Sequence, residues 1–195
     1  MLVITSTTTL VPDNPAAAYA AYRQAASAVF LAGTQGLKYK KDHYDLAVDL
    51  SKAGLTYIDE RADEIVIGAM TPLWQIKISQ AIQNFAGGAI SKAISDVADK
   101  NIQRYGTLGG VISSKAPFSV LLPILLSLHV DVQLQDKGCM SLDDYLHCPP
   151  MGELVTGISI AKEAVYTAYK AYRKLPVDEP YLVGAVAMRD DSWRI

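Results

Sequence analysis

Val29-Phe-Leu-Ala-Gly-Thr-Gln-Gly36 is a brief apolar run that breaks directly into a glycine turn. Three apolar residues are enough for a short strand, and the turn must begin where their side chains stop. Upstream, Pro12-Asp-Asn-Pro15 carries turn chemistry, and Asn14 before Pro15 is a helix start. The spacing then predicts an alanine-rich helix over Ala16–Ala28, with Tyr19, Tyr22 and Ala26 along one stripe. Thr5–Thr9 reads as a short polar strand or loop, and Tyr44–Leu50 as a further strand. A helix between strands of one small unit implies a parallel βαβ arrangement, because a parallel neighbour needs a long crossover.

Beyond Leu55 the pattern changes. Thr56–Ile58 and Glu64–Gly68 read as a hairpin joined through Asp59–Asp63. Thr71 is placed to cap a helix that starts at Pro72 and runs to about Gln80, and another helix covers Ile90–Asp99. A second glycine-dense turn follows, Tyr105-Gly-Thr-Leu-Gly-Gly110, and then a mostly apolar stretch, Pro117–Leu128, that reads as a buried helix. Val130–Leu134 alternates as a strand does and ends at Asp136-Lys-Gly138; Leu142–Leu146 is a helical turn and Leu154–Ile160 a strand. Ala161–Lys174 carries an aromatic stripe (Tyr166, Tyr169, Tyr172), and Leu182–Met188 is a last strand. The fold class is α+β, divided as a small α/β lobe (1–52), a larger α+β lobe with an antiparallel sheet (53–165) and the remnant of a further lobe (166–195).

Composition narrows the function. Of 195 residues half are hydrophobic and 19% charged, which suits a globular chain with a substantial core. A net charge of −2 without a long basic run argues against a nucleic-acid partner. The longest strongly apolar stretch, Phe118–Leu128, is too short to span a bilayer, and Met1–Thr9 lacks the form of a signal peptide, so no membrane contact and a cytoplasmic location are expected. Cys139 and Cys148 have no metal-binding spacing and read as reduced thiols; His43, His129 and His147 are scattered and read as loop or edge residues. No metal site and no catalytic residue is assigned.

The two glycine turns remain. Glycine lets a backbone come close to a ligand or adopt positive φ, and successive N–H groups can then cradle a pyrophosphate, with a threonine hydroxyl as a further donor. Either turn alone is equally consistent with a plain reversal of the chain, and neither is a Rossmann fingerprint or a Walker A loop.

Taken together, these turns and the landmarks between them resemble the FAD-binding subunits of molybdenum hydroxylases, such as those of xanthine and carbon-monoxide dehydrogenases. That family carries an Ala-Gly-Gly-Thr type turn early and a Gly-Thr-Ile-Gly-Gly-Asn turn later. Val48-Asp-Leu-Ser51, Ile67-Gly-Ala-Met-Thr71, the Leu121–Leu128 segment and Glu153-Leu-Val-Thr-Gly-Ile-Ser-Ile160 are similar to further family motifs, in the family's order. The resemblance implies a PCMH-type FAD-binding fold, with FAD between two α/β lobes and a three-stranded C-terminal lobe beyond, here shortened. It implies two partners, a large molybdenum-cofactor subunit and a small [2Fe–2S] subunit. It also implies FAD contacts at Leu31, Ala32, Gly33, Thr34, Gln35 and Gly36, at Ala98, at Thr107, Gly109, Gly110 and Ser114, and at Ser119, Val155 and Lys170.

Several positions depart from the family pattern. Ala32 replaces the first of two paired glycines, Gly36 replaces an apolar residue, Val111 an asparagine and Val120 an aspartate. These changes make the cleft less polar and lower the expected affinity, but FAD makes many other contacts, and FAD stays the expected cofactor, with a flavin-less form as the alternative. Three readings stay open: an electron-transfer flavoprotein subunit, a flavin-less structural subunit of the same complex, and an unrelated ligand-binding α+β domain, against which the matched order of motifs argues. The Leu182–Met188 strand is expected to be left as a lone apolar edge, covered by a partner subunit or by a second copy in a homodimer.

Overall fold

A computed structural model describes residues 5–37, 42–97, 99–163, 165–175 and 178–195. Three sheets organise them.

The first sheet is parallel, with β1 (Thr5–Leu10), β2 (Ala28–Leu31) and β3 (His43–Asp49) in the order β1-β3-β2. Helix α1 (Pro15–Gln24) crosses from β1 to β2, started by the Asn14 side chain, which accepts from the Ala17 N–H at 2.8 Å. α1 stops four residues before the predicted end. Ala25 turns extended and the chain from Ala28 is drawn into the ladder with Leu46–Asp49, so strand pairing overrides the helix propensity of the alanines. Tyr22 stacks on Phe30 with ring centroids 4.2 Å apart, and Ala18, Val48, Leu50 and Leu154 close a small core beneath them.

The second sheet is antiparallel, in the order β4-β5-β8-β6-β7, built from β4 (Ile58–Glu60), β5 (Glu64–Gly68), β6 (Val130–Leu134), β7 (Gly138–Ser141) and β8 (Val155–Ala161). One face, including Ile65, Ile67, Val132, Ile158 and Ile160, forms the main core with a layer of short helices. These are α2 (Leu73–Ile78), α3 (Gln80–Asn84), α4 (Ala89–Ser95), α5 (Lys100–Tyr105), α6 (Leu108–Ser114) and α7 (Leu122–Ser127); α8 (Leu142–His147) flanks β6 and β7. The buried helix predicted over Pro117–Leu128 is helical only from Leu122, because Pro123 is tolerated only in a first turn.

The third sheet is also antiparallel: β9 (Tyr166–Tyr172), β10 (Leu182–Arg189) and β11 (Ser192–Arg194), in the order β11-β10-β9. The expected lone edge strand is therefore corrected, since β10 lies at the centre of a sheet with a neighbour on each side. The aromatic stripe is also split. A strand alternates its faces, so Tyr169 points inward toward α4 while Tyr166 and Tyr172 point out. With Leu182 and Trp193 these tyrosines leave the outer face rich in exposed apolar surface. Among the described residues no helix is long and apolar enough to cross a membrane.

Candidate functional site

The first glycine turn leaves the C-terminal end of β2, and the second joins α5 to α6. Some seventy residues apart in sequence, they touch. A Cβ built on Gly33 would stand 2.0 Å from the Tyr105 carbonyl oxygen and 3.1 Å from Gly106 Cα. Nothing larger than glycine fits at position 33 without pushing the turns apart. Neither turn uses its glycines for positive φ; in the first turn that backbone falls on Thr34, at φ 53°. Ala32 therefore needs no positive φ; the strain falls on Thr34, a β-branched residue in the left-handed region, at a cost of roughly 1–2 kcal/mol.

The backbone donors of the two turns have different fates. In the second turn Leu108 N–H donates to the Thr71 carbonyl at 3.1 Å and Gly109 N–H to the Ala69 carbonyl at 2.8 Å. Gly110 N–H donates to the Thr107 hydroxyl at 3.3 Å and Val111 N–H to the Thr107 carbonyl at 3.1 Å. Thr107 is thus the N-cap of α6, and its oxygen is committed to the helix. Gly109 is required for the approach: a Cβ there would meet Ala69 Cβ at 2.7 Å. In the first turn the Gly33 carbonyl accepts from the Gln35 side chain at 3.1 Å. Among the described residues no hydrogen bond engages the Gly33 or Thr34 N–H. Two successive N–H groups without a protein acceptor, beside an exposed threonine hydroxyl, are the elements of an anion cradle.

The remaining expected contacts are dispersed. Leu31, Ala32 and Gln35 are half-buried in the first turn, and Gly36 is exposed with open space around it. Gly110 is exposed, and Ser114, at the end of α6, donates back to the Val111 carbonyl at 2.9 Å. Ser119 stands just before α7, its hydroxyl accepting from Leu121 N–H at 3.3 Å and Leu122 N–H at 3.2 Å. Val155 is buried in the main core. Lys170 is exposed on β9, its ammonium 5.8 Å from the centre of the Tyr172 ring. Ala98 lies outside the described residues. Val111 packs against the main core and Val120 is buried, so both apolar replacements fill space. A cleft of about 730 Å³ between the β4–β5 hairpin, His129–Asp131 and Ser141–Asp143 includes neither turn.

The segment Ala69–Leu73 holds the second turn in place, and sequence reasoning missed it. Leu73 N–H donates to the Gly106 carbonyl at 2.9 Å, and Pro72 and Thr107 form an isolated antiparallel bridge. Thr71 does not cap α2 as expected. Its hydroxyl instead donates to the Tyr57 carbonyl at 2.9 Å and accepts from the Tyr57 N–H at 3.1 Å. The signal was a threonine beside a proline, which reads as a cap until its partner strand is known.

The model of a family described as the FAD binding domain in molybdopterin dehydrogenase matches residues 5–162. The chain is 29% identical over 171 residues to the uncharacterized protein YgfM of Escherichia coli K12, covering 86% of this chain and 64% of YgfM. It thus spans just under two thirds of the length of the curated relatives it matches. Its fold is similar to that of a chain of the carbon monoxide dehydrogenase from Hydrogenophaga pseudoflava which lacks the Mo-pyranopterin moiety of its cofactor. That match has a TM-score of 0.84 at 22% identity, over 94% of this chain and 69% of the other. A chain of quinoline 2-oxidoreductase from Pseudomonas putida 86 matches with TM-score 0.83 at 18% identity, over 96% and 68%. At such identities the likeness is one of fold.

FAD is the cofactor of the matched family. The described residues fit it through the first turn, where the Gly33 and Thr34 N–H groups and the Thr34 hydroxyl suit a pyrophosphate. The second turn fits as the wall behind them, its donors already engaged.

Proposed function

The chain belongs to the family of FAD-binding domains of molybdopterin dehydrogenases, and on that premise we propose that it works as the flavin-binding electron-transfer subunit of a molybdenum hydroxylase. Its partners are a large molybdenum-cofactor subunit and a small [2Fe–2S] subunit, in the cytoplasm. In that role the chain would hold the flavin that relays electrons from the iron–sulfur clusters to NAD or another acceptor. The observation that carries this reading is the contact of Gly33 with Tyr105 and Gly106, which joins two distant turns beside a pair of N–H donors unengaged among the described residues.

When bound, FAD supplies a relay between one-electron and two-electron carriers. This chain's own part is to hold and orient it. The Gly33 and Thr34 N–H groups would hold its phosphates, with the Thr34 hydroxyl as a third donor. Thr107, Gly109 and Gly110 fix the opposite wall, and Ser119 steadies the start of α7. The exposed apolar face of the third sheet, with Tyr166, Tyr172, Leu182 and Trp193, supports a subunit role, because a surface of this kind marks a place where proteins meet.

A second reading, a flavin-less structural subunit, is favoured by one feature: the second turn offers its backbone donors to Ala69, Thr71 and Thr107 rather than outward. The absorption spectrum of the purified protein after incubation with FAD separates the two. A bound flavin spectrum is expected; its absence, in a folded protein that still co-purifies with the two partner subunits, would establish the structural role.

A further inference from the structure

We propose that Thr71 is a positioning residue for the flavin cleft: it sets where the second glycine turn stands without touching the cofactor. The inference rests on the flavin-binding reading and goes beyond it in assigning this role to a residue outside both turns.

Thr71 is fully buried, so it cannot reach a ligand. It is tied on two sides at once. On one side its hydroxyl makes a reciprocal pair of hydrogen bonds with the Tyr57 backbone, donating to the carbonyl at 2.9 Å and accepting from the N–H at 3.1 Å. It replaces a strand partner there, just before β4 begins. On the other side the Thr71 carbonyl accepts the Leu108 N–H at 3.1 Å, at the first residue of α6. The neighbours extend both seams. Met70 N–H donates to the Leu55 carbonyl at 2.9 Å, while Ala69 accepts from Gly109 and Leu73 donates to Gly106. Residues 69–73 therefore form a plank between the 55–57 segment and the second turn, and that turn abuts Gly33 through Tyr105 and Gly106.

Within this plank Thr71 is the one residue whose side chain, rather than its backbone, makes the connection to Tyr57. Without the hydroxyl the half-buried Tyr57 N–H loses its acceptor, whereas the Tyr57 carbonyl keeps the Gly68 N–H at 3.0 Å. The cheapest relief is for Tyr57 and the plank to separate, and the second turn moves with the plank.

The test uses the full chain with Thr71→Val, which keeps the shape and removes the hydroxyl, and Thr71→Ser, which keeps the hydroxyl. Thr71→Ala, which cannot overfill the site, serves if the valine variant does not fold. Ser141→Ala, which removes the cap of α8, is the stability control. Two quantities are read: FAD affinity by titration, and hydrogen exchange of the Leu108 and Gly109 amides without FAD. We expect Thr71→Val to bind FAD about tenfold more weakly, the equivalent of one hydrogen bond, and to exchange both amides faster. Thr71→Ser should stay close to the parent in both, and Ser141→Ala should lower the thermal midpoint while moving neither. Parent-like affinity and exchange in Thr71→Val would overturn the proposal, as would an equal loss of affinity in Ser141→Ala. If the parent itself binds no FAD, the functional reading fails. The exchange rates then decide the role of Thr71 by themselves: faster exchange in Thr71→Val upholds it and unchanged exchange ends it.

Discussion

The two glycine turns look alike in sequence and do opposite things. Residues 106–111 use their backbone donors to fasten α6 to Ala69, Thr71 and Thr107, and their glycines to let that seam close. Residues 32–34 leave the Gly33 and Thr34 N–H groups unengaged among the described residues, hold a threonine at positive φ, and use a glycine to lie against the other turn. One turn is a joint and the other is an opening backed by that joint. A glycine-rich turn thus becomes a binding site only where the fold leaves its donors without partners.

Substitutions can break or sharpen this contrast. The largest effect is expected at the point where the turns meet. Gly33→Ala forces a Cβ to within 2.0 Å of the Tyr105 carbonyl oxygen, and should cost about 3 kcal/mol or more in urea unfolding, together with flavin affinity. Gly109→Ala presses on Ala69 at 2.7 Å and should cost about 2 kcal/mol. Adding Ala69→Gly should return part of that loss, and an additive double mutant would show that the seam is not where the strain falls. Thr107→Ala removes the cap of α6 and should lower stability by about 1 kcal/mol, read from the thermal midpoint. The smallest change is expected at Thr34→Gly. Relief of the positive φ is partly offset by the flexibility of glycine in the unfolded chain, leaving a gain of less than about 1 kcal/mol. A loss of stability there would mean that the Thr34 side chain contributes more than its backbone costs.

Much of the fold was legible because strands announce themselves locally. Val130–Leu134 alternates and Glu64–Gly68 carries the unbroken apolar run Ile65-Val-Ile67, and each forms a strand where expected. Two of the misreadings share one cause, a local pattern overruled by a distant partner. The alanines at the end of α1 favour a helix, yet β3 claims the chain from Ala28. Tyrosines spaced by three suggest a single face, yet β9 pairs with β10 and alternates. The turns themselves were visible as composition. Their roles were not, because whether Leu108 and Gly109 have free donors depends on Thr71 and Ala69, some forty residues earlier. Likewise, the restriction at Gly33 comes from Tyr105 and Gly106, far along the chain.

The most direct test of the contrast between the turns is an amide-resolved NMR titration of the full chain with FAD. The Gly33 and Thr34 amides should shift strongly and gain protection from exchange, because their protons acquire acceptors. The Leu108, Gly109, Gly110 and Val111 amides should keep the protection they already have. Large changes at the second turn with none at Gly33 and Thr34 would contradict the account.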